Sequence, residues 1–152
     1  MKLIALAGVA ISYFVSAAAM ASDYKAGSLE ISNPWSRVTP KGAEVGVGYM
    51  VIKNNGTTPD RLIGGSVEVA DRFELHATIM ENGIAKMREL SDIEIKSGQT
   101  IEFKPGGSHV MFVDLTRPLS KGEHITGTLV FERAGKVQIE YSVEGIGAQR
   151  GP

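Results

Sequence analysis

The middle of this chain of 152 residues contains four side chains that can bind a soft metal ion: His76, Met87, His109 and Met111. Ten residues separate His76 from Met87, twenty-one separate Met87 from His109, and one separates His109 from Met111. Imidazole nitrogen and thioether sulfur suit Cu(I) and poorly suit Mg²⁺, Ca²⁺ and Mn²⁺, which prefer oxygen ligands. The four side chains therefore predict a site for one Cu(I) ion per monomer.

The chain contains no Cys, which narrows the kind of copper site that it can form. A blue-copper electron-transfer site needs a thiolate ligand, so that class is excluded. The remaining His, His124, lies in a polar stretch outside the cluster, and we expect it at the surface. Met80 is a possible auxiliary ligand but is expected only to flank the site.

The first residues have the order of parts found in a secretory signal peptide. Lys2 is a short positive region, residues 3–15 are mostly apolar, and Ala19, Met20 and Ala21 offer a cleavage site. We expect residues 1–21 to be removed before Ser22. The alternative, a membrane anchor, is disfavoured because small polar residues and Gly interrupt the apolar stretch. Because no Cys follows it, we expect no lipid attachment and no stable insertion into a membrane.

The net charge of −1 and the absence of a basic run make nucleic acids and anionic membranes poor partners. Residues 22–152 form a single predicted domain, in which short apolar runs alternate with Gly-containing turns. This pattern, without any long helical period, predicts an all-β domain, a Greek-key β-sandwich. The final residues, 145–152, are expected to fray. The clearest predicted strands are 45–53, 72–79, 84–90, 100–103, 109–115, 125–131 and 137–143.

Strand alternation places the four candidate ligands on shared faces. His76 falls on the polar face of its strand, opposite the face of Phe73 and Leu75. Asn82-Gly83 predicts a two-residue hairpin turn, and pairing outward from it sets Thr78 opposite Met87. His76 and Met87 are then diagonal neighbours, about 7–8 Å apart at the backbone.

His109 and Met111 also share a face, because they are two residues apart in one predicted strand. Their neighbours Val110 and Phe112 point to the other side. Taken singly, a Met in a β protein is usually core filler and an exposed His is usually only solvated. Two His–Met pairs, each on a common face, favour a metal site over a metal-free adhesion or interaction sandwich, which would leave the spacing unexplained.

At these residues the chain resembles the PCu(A)C family of periplasmic copper chaperones. That family has a His, ten residues, a Met, twenty-one residues, then His-x-Met, and this chain matches the spacing without error. Ala85 stands where the family often has a Met. The resemblance spans nearly the whole mature chain and includes the stretches 33–37, 46–49, 58–62, 104–109 and 117–119.

The resemblance implies a cupredoxin-like or immunoglobulin-like β-sandwich in the bacterial periplasm, binding Cu(I) through two His and two Met. It also implies delivery of copper to the copper A centre of cytochrome c oxidase subunit II, in some cases through a Sco-type protein. We expect a monomer. A periplasmic copper buffer or resistance protein would use the same residues, so this alternative stays open.

An enzyme is the less favoured class. The sequence contains no Gly-x-Ser-x-Gly, no His-Glu-x-x-His and no Gly-rich phosphate loop. Three His are too few for the usual hydrolytic zinc site. A redox-active copper enzyme would also need more His and an open coordination position.

Overall fold

The computed structural model describes residues 23–152. In most of its strands, buried and exposed side chains alternate. β10 is the clearest case, because Ile125, Gly127, Leu129 and Phe131 are buried while the residues between them are partly exposed. Helix is absent from these residues, so the predicted all-β class is confirmed. The strands are β1 (Asp23–Ala26), β2 (Leu29–Arg37), β3 (Val45–Asn54), β4 (Asp60–Val67), β5 (Ala70–Glu81), β6 (Ile84–Leu90), β7 (Ile93–Ile95), β8 (Thr100–Phe103), β9 (His109–Leu115), β10 (His124–Phe131) and β11 (Gly135–Glu144).

The strands form one hydrogen-bonded system in the order β6-β5-β9-β3-β2-β11-β10-β4-β7, with β1 paired to β2 and β8 paired to β3. All pairs are antiparallel except β2 with β11. The two ends of the order come back together, since Gly65 of β4 lies against the ring of Phe73 of β5. The sheet therefore folds over itself around one core, as a sandwich does.

The core is fully covered and rich in large side chains. Phe112 of β9 and Tyr141 of β11 meet edge-on across it, with ring centroids 5.2 Å apart. Gly48 of β3 lets these rings approach, because an added Cβ would lie 2.7 Å from the Phe112 ring. This packing fixes the inner side of β9, and its outer side is the one that carries His109 and Met111.

Trp35 is buried and packs on Tyr49 at a centroid distance of 4.6 Å. The guanidinium of Arg37 covers both rings and donates from Nε to the carbonyl of Ala148 at 2.9 Å. The tail, expected to fray, thus lies against β2 because Arg37 binds its backbone.

The predicted signal peptide, residues 1–21, lies outside the described residues. Within residues 23–152, no helix is long and apolar enough to cross a membrane.

Candidate metal centre

The β5–β6 hairpin places Met87 beside His76. Asn82 and Gly83 both have positive φ, as the two-residue turn requires. The pairing that follows sets Thr78 opposite Met87 and His76 opposite Glu89. The predicted register is confirmed, and Met87 is a diagonal neighbour of His76 on the same face.

The pairing of β5 with β9 brings the two histidines together. His76 lies directly opposite His109, and their rings are nearly parallel, with centroids 5.7 Å apart and planes inclined by 20°. Met111 lies opposite Glu74 and is therefore diagonal to His76. Met87, His76, His109 and Met111 thus share one face of three adjacent strands, which we call the ligand face.

Each histidine ring has one nitrogen committed to a neighbouring oxygen. His109 Nδ1 lies 3.0 Å from the carbonyl oxygen of Gly107. A carbonyl can only accept, so Nδ1 carries the proton and Nε2 keeps its lone pair. His76 Nε2 lies 2.9 Å from Oε2 of Glu74, which leaves the lone pair on Nδ1. Each neutral ring therefore offers one nitrogen to a metal.

The buried Nδ1 of His76 has no hydrogen-bond partner among residues 23–152. Buried polar atoms are nearly always paired, so an unpaired imidazole nitrogen beside a second histidine is a candidate metal donor. Bonds between a metal and imidazole nitrogen are about 2 Å, so two such nitrogens must come within about 4 Å of each other. The 5.7 Å separation of the ring centroids is compatible with that requirement.

Exposure varies sharply across the ligand face. His109 is buried, and the side chain of His76 is only 13% exposed, so it is less accessible than its polar strand face predicts. It is covered because β5 is flanked on both sides, by β6 and by β9. Met111 is half-buried, whereas Met87 is 57% exposed on the edge strand. One thioether therefore lies in solvent while the imidazoles are sheltered.

The donor set suits a soft ion. No group of three or more His, Cys, Asp or Glu able to hold a metal occurs among the described residues. The four residues of the ligand face instead offer two nitrogens and two sulfurs, all neutral. Such a set fits Cu(I) and does not fit ions that require several oxygens.

The other His and Met residues between positions 23 and 152 are not part of this four-residue cluster. His124 is exposed at the start of β10, paired with Ser142 of β11. Met50 is core. Met80 is on the same side of β5 as His76 but four residues nearer the turn, and it is 68% exposed.

The carboxylates around His76 are an additional feature that the His and Met spacing does not predict. Glu74 accepts from His76 and also from Nη1 of Arg72 at 2.7 Å. Nε of Arg72 donates to Asp114 of β9 at 2.9 Å, and this contact raises the pKa of the guanidinium. The alternating Arg72-x-Glu74-x-His76 pattern on one strand face was the available signal.

A family model and a relative of known sequence both match most of this chain. The LpqE-like family model matches residues 29–143. A protein described as a lipoprotein, Lxx21020 from Leifsonia xyli subsp. xyli, is 32% identical over 130 residues, covering 85% of this chain and 76% of the relative.

Two solved structures share the fold. The copper-bound PCuAC domain from PmoF2 superposes with a TM-score of 0.72 at 31% identity, covering 82% of this chain and 98% of that domain. Cu(I)-loaded DR1885 from Deinococcus radiodurans superposes with a TM-score of 0.64 at 24% identity, covering 84% of this chain and 83% of that one. The second likeness concerns the fold alone.

Proposed function

The chain belongs to the LpqE-like family, of PCuAC type, and on that premise we propose that it is a periplasmic copper chaperone. One Cu(I) is bound on the ligand face by His76, Met87, His109 and Met111. The observation that carries the proposal is the direct pairing of His76 with His109, each with one uncommitted ring nitrogen. The copper-bound PCuAC domain, at 31% identity, supports the choice of metal.

Handing over the ion is favoured by the same arrangement. All four ligands are neutral, so the release of Cu(I) does not require its separation from a negatively charged ligand. Met87 is exposed and can be replaced first by a ligand from an acceptor, while the sheltered imidazoles still hold the ion. Thioethers also resist the disulfide formation that thiolates would undergo in an oxidising compartment, although they can be oxidised to sulfoxide.

The first test is a competition titration of the mature domain with a Cu(I)-specific chelator. We expect one Cu(I) per chain, and loss of tight binding in both His76→Ala and His109→Ala. His124→Ala is the matched control, because it removes an exposed imidazole from another strand. Unchanged stoichiometry without His76 and His109 would refute the site.

The second test separates a chaperone from a copper buffer. The proposed acceptor is the copper A domain of cytochrome c oxidase subunit II, directly or through a Sco-type protein. A chaperone transfers Cu(I) within a complex, so the transfer rate should rise with acceptor concentration. If the rate is instead independent of the acceptor, the ion leaves by simple dissociation and the protein acts as a buffer.

Export is tested separately from copper binding. We propose that residues 1–21 are removed and that the mature protein begins at Ser22. Mass spectrometry of protein recovered from the periplasm of an expressing bacterium should give the mass of residues 22–152. Recovery of the uncut chain in the membrane fraction would contradict the proposal.

A further inference from the structure

Glu74 occupies a particular position on the ligand face. It lies opposite Met111 and two residues before His76, and its side chain is only 18% exposed. Its Oε2 lies 2.9 Å from His76 Nε2, so the carboxylate accepts a hydrogen bond from the N–H of that nitrogen. The hydrogen bond selects the imidazole tautomer that leaves the lone pair on the buried Nδ1.

The other carboxylate oxygen of Glu74, Oε1, accepts a hydrogen bond from the exposed side chain of Arg72. Nη1 of Arg72 donates to Oε1 at 2.7 Å, while Nε of the same guanidinium donates to Asp114 at 2.9 Å. Arg72 therefore bridges β5 and β9, the two strands that carry the histidines. Both carboxylate oxygens of Glu74 are engaged, so the carboxylate cannot turn without breaking one of these contacts.

Stability alone is a weak explanation for this chain of contacts. Arg72 is 57% exposed and Asp114 is 52% exposed, and ion pairs so open to water contribute little to folding. Asp114 also has φ of 59°, a conformation that residues other than Gly adopt at a cost. A strained residue holding an exposed ion pair is better explained by what it positions.

We propose that Glu74 is a positioning residue for copper: its hydrogen bond to His76 fixes the ring and tautomer that present Nδ1 to Cu(I), with Arg72 and Asp114 holding Glu74 in place. This inference rests on the proposed copper site. A neutral imidazole has one N–H and one lone pair, so the other tautomer would place a proton where the metal must bind. Carboxylate partners of this kind commonly fix the orientation of metal-ligating imidazoles.

The same contacts argue against Glu74 as a direct ligand. Each oxygen already accepts a hydrogen bond from His76 or Arg72, so a metal would have to share its oxygen with one of these donors. The carboxylate also lies outside any group of His, Asp and Glu suited to a metal in the described part of the chain.

Glu74→Gln is the informative substitution, because it keeps the shape but changes the pattern of donors. Arg72 has only donors, so it should retain the amide oxygen and turn the NH₂ group towards His76 Nε2. Nε2 must then accept, and the proton should move to Nδ1. We expect the major His76 tautomer to switch, and the Cu(I) affinity to fall by about 10–100-fold.

Glu89→Gln is the matched control. Glu89 lies directly opposite His76 on β6, so Glu89→Gln removes the same charge from the ligand face, but the hydrogen bond of His76 is to Glu74 and not to Glu89. We expect the wild-type tautomer and affinity in this variant. A loss equal to that of Glu74→Gln would mean that charge, not positioning, is responsible, and would overturn the inference.

Two readouts on the full mature chain separate this inference from the proposed function. Nitrogen-15 NMR of the imidazoles in copper-free protein reports the tautomer, and amide dispersion in the same sample reports folding. If wild type binds no Cu(I), the proposed function fails, and the positioning role for copper fails with it. If wild type binds Cu(I) but Glu74→Gln keeps tautomer and affinity, only the positioning role fails. Lost affinity with an unchanged tautomer would also overturn it.

Arg72→Met provides a second variant at an exposed position that leaves Glu74 intact. Without the guanidinium, Glu74 can rotate, so we expect a mixture of His76 tautomers and a smaller loss of affinity than in Glu74→Gln. A single wild-type tautomer with unchanged affinity would overturn the part of the proposal that assigns a role to Arg72 and Asp114.

Discussion

The four candidate ligands differ in how far their side chains are exposed to solvent. The imidazoles of His76 and His109 are nearly covered and are oriented by hydrogen bonds, whereas Met87 extends into solvent. Met80 is also exposed, so exposure alone assigns no role, but Met87 is the one that lies diagonal to His76. Its position on the ligand face therefore favours a function for its sulfur.

Met87→Leu tests that function at the scale of one atom. Leu keeps the apolar volume but removes the sulfur, so we expect the Cu(I) affinity to fall by more than about tenfold. Stability should change by no more than about 0.5 kcal/mol, since Met87 is 57% exposed. Chelator competition and chemical denaturation measure the two quantities. Met80→Leu, at another exposed position of the same hairpin, is the control, and equal losses in the two variants would contradict the assignment.

At the scale of the strands, the site depends on how β9 is held from behind. Gly48 of β3 is the residue that allows β9 and β11 to approach, because a Cβ there would lie 2.6 Å from Val110 and 2.7 Å from Phe112. These two residues alternate with His109 and Met111 along the same strand. Packing on the inner face therefore fixes the donors on the outer one.

Gly48→Ala should disturb the fold and the site together. We expect the free energy of unfolding to fall by about 1–3 kcal/mol, the usual cost of overpacking, and Cu(I) affinity to fall with it as β9 shifts. Denaturant melts and chelator competition test both. Gly147→Ala is the control, because nothing lies within 4 Å of a Cβ at that position. Wild-type affinity in a destabilised Gly48→Ala variant would show that β9 keeps its position.

Local signals predicted the hairpin elements well and the longer-range ones poorly. Asn82-Gly83 determined the β5–β6 register, and alternation gave the bounds of β6 and β9. The position of His76 directly opposite His109 could not be predicted, because it depends on the pairing of β5 with β9, which are distant in sequence. The clearest predicted strands did not include β1, β2, β4 and β7. In β2 the regular alternation is interrupted, since Asn33 has positive φ and the register shifts between Ser32 and Trp35.

At the scale of the whole molecule, the core of the described part of the chain contains a buried polar atom that makes no hydrogen bond. The hydroxyl of Tyr141 is buried without a hydrogen-bond partner among residues 23–152. Burial raises the pKa of this phenol well above its ordinary value. The group therefore carries a cost to folding that its aromatic packing against Phe112 must offset.

Tyr141→Phe should make the protein more stable. Removing a buried hydroxyl that has no partner should raise the free energy of unfolding by about 1 kcal/mol at neutral pH. The difference should widen above pH about 10, because the unfolded wild-type chain gains stability by ionising this phenol and the folded one does not. Denaturation at both pH values checks the prediction. A destabilised variant would mean that the hydroxyl has a favourable role in the core.

The edge position of β6 has a consequence for the rate at which the protein opens. Among the described strands, β6 pairs only with β5, so its amides that point away from β5 have no strand partner. Such strands open locally at much lower free energy than the global unfolding. Hydrogen exchange should thus be faster in β6 than in β9, and binding of Cu(I) through Met87 should slow exchange in β6 more than anywhere else. Equal protection with and without Cu(I) would show that β6 is not held by the metal. Selective slowing in β6 would show that the bound ion stabilises an edge strand that otherwise opens locally.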